Sequence, residues 1–324
     1  MPKHFKIFSI LLSLLIAPFP FLAKDVTLIQ VEEFLNNTSR IYSEHAGEYF
    51  SGLDIYPLWN KLNIKPQALS LDKKSYLFGH RITDKECIVY YPEYEVITLD
   101  DWKLLKLSVS SSTDYQFFLF RKKNGRWVYF DHLDFFHEKY EEPYIYFLTP
   151  DLLYSRSLAG SGTGAVYYIN SFYAVSENNL KHLINLPAEG FVNGWGMKFN
   201  REFSSSIDFE DNLLVVTYTI RVSGNTYYYQ PKVKDTEEEF PLFEVKRKVF
   251  LKWDGKSLEF DKKKSQLTLS ELEFIYNGMG KHYYAMFKEE FDRLKYKGEK
   301  EKEWYEEFMK DVRRKSLQDA PDPK

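Results

Sequence analysis

The densest group of side chains able to do chemistry is Asp131-His132-Leu133-Asp134-Phe135-Phe136-His137-Glu138. His132, Asp134 and His137 offer the imidazole and carboxylate donors that zinc and other transition metals take. The step from His132 to His137 does not match the helical spacing of HExxH, where two histidines share one face. The segment leaves a strand-like run and ends before Pro143, so a loop is expected. A surface loop with two incidental histidines is the simpler account. An envelope hydrolase with a scattered, metal-assisted site near these residues is the alternative.

Other reactive patterns are weaker. Gly160-Ser161-Gly162-Thr163-Gly164 resembles a phosphate-cradling loop only in its glycines. Such a loop must open a helix, and the residues after Gly164 are β-branched and aromatic without helical spacing. A hairpin turn or bulge is expected instead. Ser161 has glycines as immediate neighbours, whereas a GxSxG elbow needs them two residues away. Cys87, the only cysteine, lies in CIVYY and reads as a strand residue rather than a nucleophile; no intrachain disulfide can form. The run Thr236 to Glu239 reads as a solvated loop rather than a cation site. No motif calls for a cofactor.

Aromatic residues carry the binding candidates. Tyr, Phe and Trp make up 18% of the chain. Tyr227, Tyr228 and Tyr229 follow a turn, and Trp195 lies between Gly194 and Gly196. Aromatic rings at a rim favour recognition of sugar rings or partner side chains. Alternating tyrosines also simply cover both sides of an edge strand. The formal net charge of -3 gives no basic footprint for nucleic acid.

The elements that must position these residues follow from pattern. Residues 1–23 read as a secretory signal peptide: Lys3 and Lys6 lead, Ile7 to Ala17 is apolar, and Ala23 precedes the cleavage point. An exported chain, periplasmic or secreted, is expected, with no transmembrane span after signal removal. Residues 24–75 read as a helical and irregular segment with a helix near 28–44. Strands are expected throughout 76–262, among them 115–122, 126–131, 152–158, 164–175, 180–186, 212–223, 226–230, 243–253 and 257–260. Amphipathic helices fill 263–316, opened by the capping-box pair Thr268 and Glu271, and 317–324 read as a disordered tail.

Two hairpins can be registered. Asn124-Gly125 would pair Phe120 with Tyr129 and Leu119 with Phe130. With Asp254-Gly255 at the tip, Trp253 would face Lys256, Leu251 would face Leu258, and Val249 would face Phe260. In the run after Asn212, Leu214, Val216, Tyr218, Ile220 and Val222 fall on one face. The fold class is mainly antiparallel β, as a propeller-like or stacked-meander arrangement, with amphipathic helices at both ends. The functional expectation is an exported protein acting by binding or structural interaction in the cell envelope, with an envelope protein or glycan as partner.

Overall fold

A computed structural model describes residues 26–33, 36, 49–50, 79–81, 87–89, 92–99, 101–109, 115–135, 141–162, 164–193, 199–224 and 240–313. The signal-peptide expectation therefore lies outside the described residues. The chain divides into two compact units, Met1–Glu142 and Pro143–Lys324. It is mainly antiparallel β, and its helices fall mostly at the C-terminal end.

In the first unit, β1 (Tyr49–Phe50), β2 (Gly79–Arg81) and β3 (Cys87–Val89) form a small sheet in the order β1-β3-β2. Next come β4 (Pro92–Leu99), β5 (Trp102–Val109), β6 (Tyr115–Lys123) and β7 (Arg126–Phe135), a four-stranded meander. Consecutive apolar residues in β6 mean burial on both faces, and Phe117 to Phe120 are each 0–2% exposed. Asn124 and Gly125 take φ of +51° and +75°, the left-handed pair of a tight hairpin turn. Phe120 faces Tyr129 as expected, but Leu119 faces Asp131. Phe130 is the extra residue of a bulge, and its ring meets Trp102 edge-on at 5.1 Å. Residues 28–33 are helical. Thr27 and Gln30 cap that turn reciprocally, and Thr27 bridges Val128 on the outer edge of β7.

The second unit is one eight-stranded sheet in chain order: β8 (Tyr144–Thr149), β9 (Leu152–Gly162), β10 (Ala165–Val175), β11 (Leu180–Asn193), β12 (Phe199–Glu210), β13 (Leu213–Gly224), β14 (Phe240–Trp253) and β15 (Leu258–Phe260). Sequence neighbours are sheet neighbours throughout. A propeller would need separate four-stranded blades, so the meander is the form this β region takes. The glycine-punctuated stretch is the β9–β10 hairpin, with Gly164 at φ +81° in its turn. Gly160 makes room instead of a turn, since a Cβ there would lie 2.6 Å from the Tyr167 ring that crosses it. The expected strand 180–186 runs on to Asn193, through Pro187. Pairing with β12 begins only at Glu189, beyond the proline that cannot donate to a ladder.

Period-two alternation divides the faces. Leu214, Val216, Tyr218, Ile220 and Val222 of β13 are each 0% exposed, on the expected common face. Each aliphatic side chain buried there contributes roughly 1.5–3 kcal/mol. The Asp254 hairpin departs from expectation: Trp253 faces Leu258 and Leu251 faces Phe260. The Asp254 carboxylate accepts the Lys256 and Ser257 N–H groups at 2.8 and 2.7 Å, which holds four residues in the loop instead of two. The register moves by two residues, so every side chain keeps its face.

Helices α1 (Leu269–Asn277), α2 (Gly280–Met286), α3 (Lys288–Arg293) and α4 (Glu299–Arg313) cover the apolar face. Thr268 and Glu271 form the expected capping box. Phe291, Trp304 and Phe308 stack among themselves and join the β-strand residues in one core. One β-strand side chain holds the first helix in place. Arg201 of β12 is 3% exposed, lies 4.9 Å over the Tyr283 ring, and donates to the carbonyls of Tyr276 and Gly278. These are carbonyls that the end of α1 leaves without helical partners. Tyr276 also stacks on Tyr167, 4.7 Å between centroids.

Asp292 ties the later helices together. It accepts from Tyr284 and Tyr305 hydroxyls at 3.1 and 2.7 Å and from Lys288 and Lys295. Hydrogen bonds from Lys288 and Tyr305 hold its carboxyl well below the usual carboxylate range. A depressed carboxylate contributes stability that is complete above its unfolded value, about 4, and is lost as pH falls toward its folded value. Replacing Asp292 by Asn is expected to lower the urea midpoint at neutral pH and to shrink the loss of stability on acidification, both read by denaturation at pH 7 and pH 3. Replacing Arg201 by Met leaves two carbonyls without donors and is expected to cost about 3 kcal/mol in the same assay.

Candidate functional site

The described part of the cluster around His132, residues 131–135, is strand rather than loop. These residues continue β7, and the ladder to β6 runs on to Phe135. Strand periodicity then places His132 and Asp134 on one face. The His132 Nδ1 meets the Tyr129 hydroxyl at 3.0 Å, with Asp131 at 3.7 Å, and its Nε2 faces Asp134 at 3.4 Å. The other Asp134 oxygen accepts the Gln116 amide at 3.0 Å. The result is a line of polar groups, Tyr129–His132–Asp134–Gln116, with His132 ring-stacked toward Phe118. Burial, then the charges of Asp131 and Asp134, push the Tyr129 hydroxyl far above its usual value. Both imidazole nitrogens face protein groups, so a metal would have to displace one of them. Among the described residues no three His, Cys, Asp or Glu side chains form a metal-holding group. His137 lies outside the described residues.

The aromatic candidates Tyr227, Tyr228, Tyr229 and Trp195 also lie outside the described residues, as do the strand expected at 226–230 and the acidic run ending at Glu239. Cys87 lies in β3.

The structure offers a surface that composition did not point to. A cleft of about 440 Å³ opens on the second unit, lined by Phe191, Asn200, Arg201, Glu202, Arg221, Ser223 and Pro241. Strand register builds it. Phe191 pairs with Glu202, Glu202 with Arg221, and Arg221 with Glu244, in one row across β11 to β14. Arg221 is clamped between carboxylates, 3.0 Å from Glu202 and 2.9 Å from Glu244. Hydrogen bonds to Glu244, with the charge and hydrogen bond of Glu202, raise its guanidinium above the usual value. At one end of the row Phe191 leaves 43% of its surface open. Arg201 supplies the floor: its guanidinium has turned to the helices, and its Nε finds no hydrogen-bond partner among the described residues.

The row was partly legible. Counting outward from the turn at Asp211 and Asn212, whose φ values are +51° and +61°, puts Glu202 opposite Arg221. Its continuation to Phe191 and Glu244 needed the strand order. A second polar cluster, Arg156 with Glu189 between the rings of Tyr144 and Tyr168, left no sequence signal because it joins residues of several strands.

Replacing Asp134 by Leu strands the Gln116 amide and the His132 Nε2. The expected cost is about 2 kcal/mol, read as a lower urea midpoint. No family model, curated protein or solved structure matches this chain.

Proposed function

We propose that this chain is an exported protein of the cell envelope that works by binding, and that the cleft beside Phe191 is where it binds. One observation carries the reading: an exposed aromatic ring stands at the end of a fixed row of opposed charges, Glu202–Arg221–Glu244. Side-chain amide, hydroxyl, carboxylate and guanidinium groups converge there with that ring, and such a lining fits a neutral glycan. Planar polar groups meet sugar hydroxyls, and the ring meets the apolar face of a pyranose. Two carboxylates flank one guanidinium, and that net negative row favours a neutral ligand over a phosphorylated one.

Titration of purified protein with neutral envelope oligosaccharides tests this by calorimetry. Binding is expected, with at least tenfold weakening in Phe191→Ala and in Arg221→Ala at unchanged unfolding midpoint. An oligosaccharide panel without binding, or variants that bind as well as the parent, removes the proposal.

A hydrolytic role is the second reading, favoured by the Tyr129–His132–Asp134 alignment. It predicts ester or glycoside cleavage that disappears in His132→Gln and responds to chelator if metal assists. Turnover unaffected by either change rejects it.

A further inference from the structure

Strand register sorts the outward face of β12, β13 and β14 into rows. One step beyond the Glu202–Arg221–Glu244 row, Ser204 pairs with Thr219 and Thr219 with Lys246. In the next row Ser206 pairs with Thr217 and Thr217 with Lys248. Ser204, Ser206, Lys246 and Lys248 are exposed. Alternate residues of a strand stand roughly 7 Å apart on one face, so the two ammonium groups sit at regular steps beside two rows of hydroxyls. Lys252 resumes the series beyond Phe250, where Glu259 of β15 faces it.

The chain then adds more positive charge at the same edge. After β15, Lys262, Lys263 and Lys264 are exposed in the loop that leads to α1. That loop is fastened along β14. The Gln266 N–H donates to the Lys248 carbonyl at 2.8 Å, and the Gln266 side chain accepts the Lys248 N–H at 2.7 Å. The Phe250 N–H donates to the Ser265 hydroxyl at 3.0 Å, and the Phe250 carbonyl accepts the Asp261 N–H at 2.9 Å. Among the described residues, none of Lys246, Lys248, Lys262, Lys263 and Lys264 forms an ion pair. The nearby acids are already engaged. Asp261 accepts the Lys263 and Lys264 N–H groups at 3.0 and 3.1 Å, and Glu244 holds Arg221. A chain of formal net charge -3 therefore gathers uncompensated ammonium groups along one strand and its adjoining loop.

We infer that this lysine ladder binds a linear acidic polysaccharide, laid along β14 with its carboxylates on the lysines and its hydroxyls against the Ser and Thr rows. Charge complementarity calls for an anion, and the regular step along one strand calls for a polymer. The hydroxyl rows favour sugar over a bare polyphosphate. A membrane surface fits less well, because docking there buries apolar side chains, and no large apolar side chain of β12, β13 or β14 is among the exposed ones of the described residues. Nucleic acid also fits less well, since no exposed aromatic ring stands among these lysines to stack a base. The ladder lies beyond the cleft row and does not use Phe191, so this inference and the neutral-glycan reading stand or fall separately.

The test is titration of the purified full chain with polygalacturonate at low ionic strength, read by calorimetry. Binding is expected, at least tenfold tighter than to neutral dextran, to polyphosphate of similar length or to anionic lipid vesicles, and weakening as salt is added. Lys246→Glu with Lys248→Glu should weaken it at least tenfold at an unchanged unfolding midpoint. Lys262→Gln with Lys263→Gln and Lys264→Gln, confined to a loop, should weaken it severalfold, and Phe191→Ala should leave it unchanged. No binding of polygalacturonate overturns the inference. So does polyphosphate or vesicle binding of equal strength, or binding that both sets of lysine changes leave intact.

Discussion

The second unit depends on a cation that the sheet lends to a helix. Arg201 projects from β12 into the apolar layer and closes the carbonyl end of α1. Burial disfavours its charge and pulls its guanidinium below the usual value. The negative end of the helix and the Tyr283 face offset that cost. No carboxylate is paired with it among the described residues, so the charge is balanced by dipoles and a π face rather than by an ion. That choice fixes where α1 stops and where α2 begins. The aromatic layer of Phe199, Tyr283, Phe287 and Phe291 closes around that junction.

The same strand serves two sides. Alternation turns Arg201 toward the helices and Asn200 and Glu202 toward the cleft. The polar face can therefore carry a ligand-sized cleft only because the other face is filled with aromatic side chains. On β14 the arrangement recurs: Arg247 faces inward to Glu290 and lies over Phe287, while Glu244 faces outward to Arg221. Inward arginines anchor helices, and outward ones define the row of charges.

The first unit uses polar groups differently. Tyr129, His132, Asp134 and Gln116 hold one another on one face of β6 and β7. Residue types alone made this look like a loop with metal-ligand chemistry. The strand runs on to Phe135, so alternation puts His132 and Asp134 on one side, and the extra residue at Phe130 brings Tyr129 to that side as well.

Local chemistry determined a good deal. Glycine and asparagine turns located the hairpins, alternation set which β13 residues are buried, and the Thr268 capping box opened the helical end. The Asp254 turn shows the limit: its dipeptide located the turn, but the aspartate carboxylate set the loop length, and the pairing moved by two residues without changing faces. Only the tertiary structure could bring together Phe191, Glu202, Arg221 and Glu244, or aim Arg201 at Gly278. The physical reason is range. Turn residues and two-fold alternation act over a few neighbours, whereas a row across four strands and a helix cap 77 residues from its donor depend on strand order and packing.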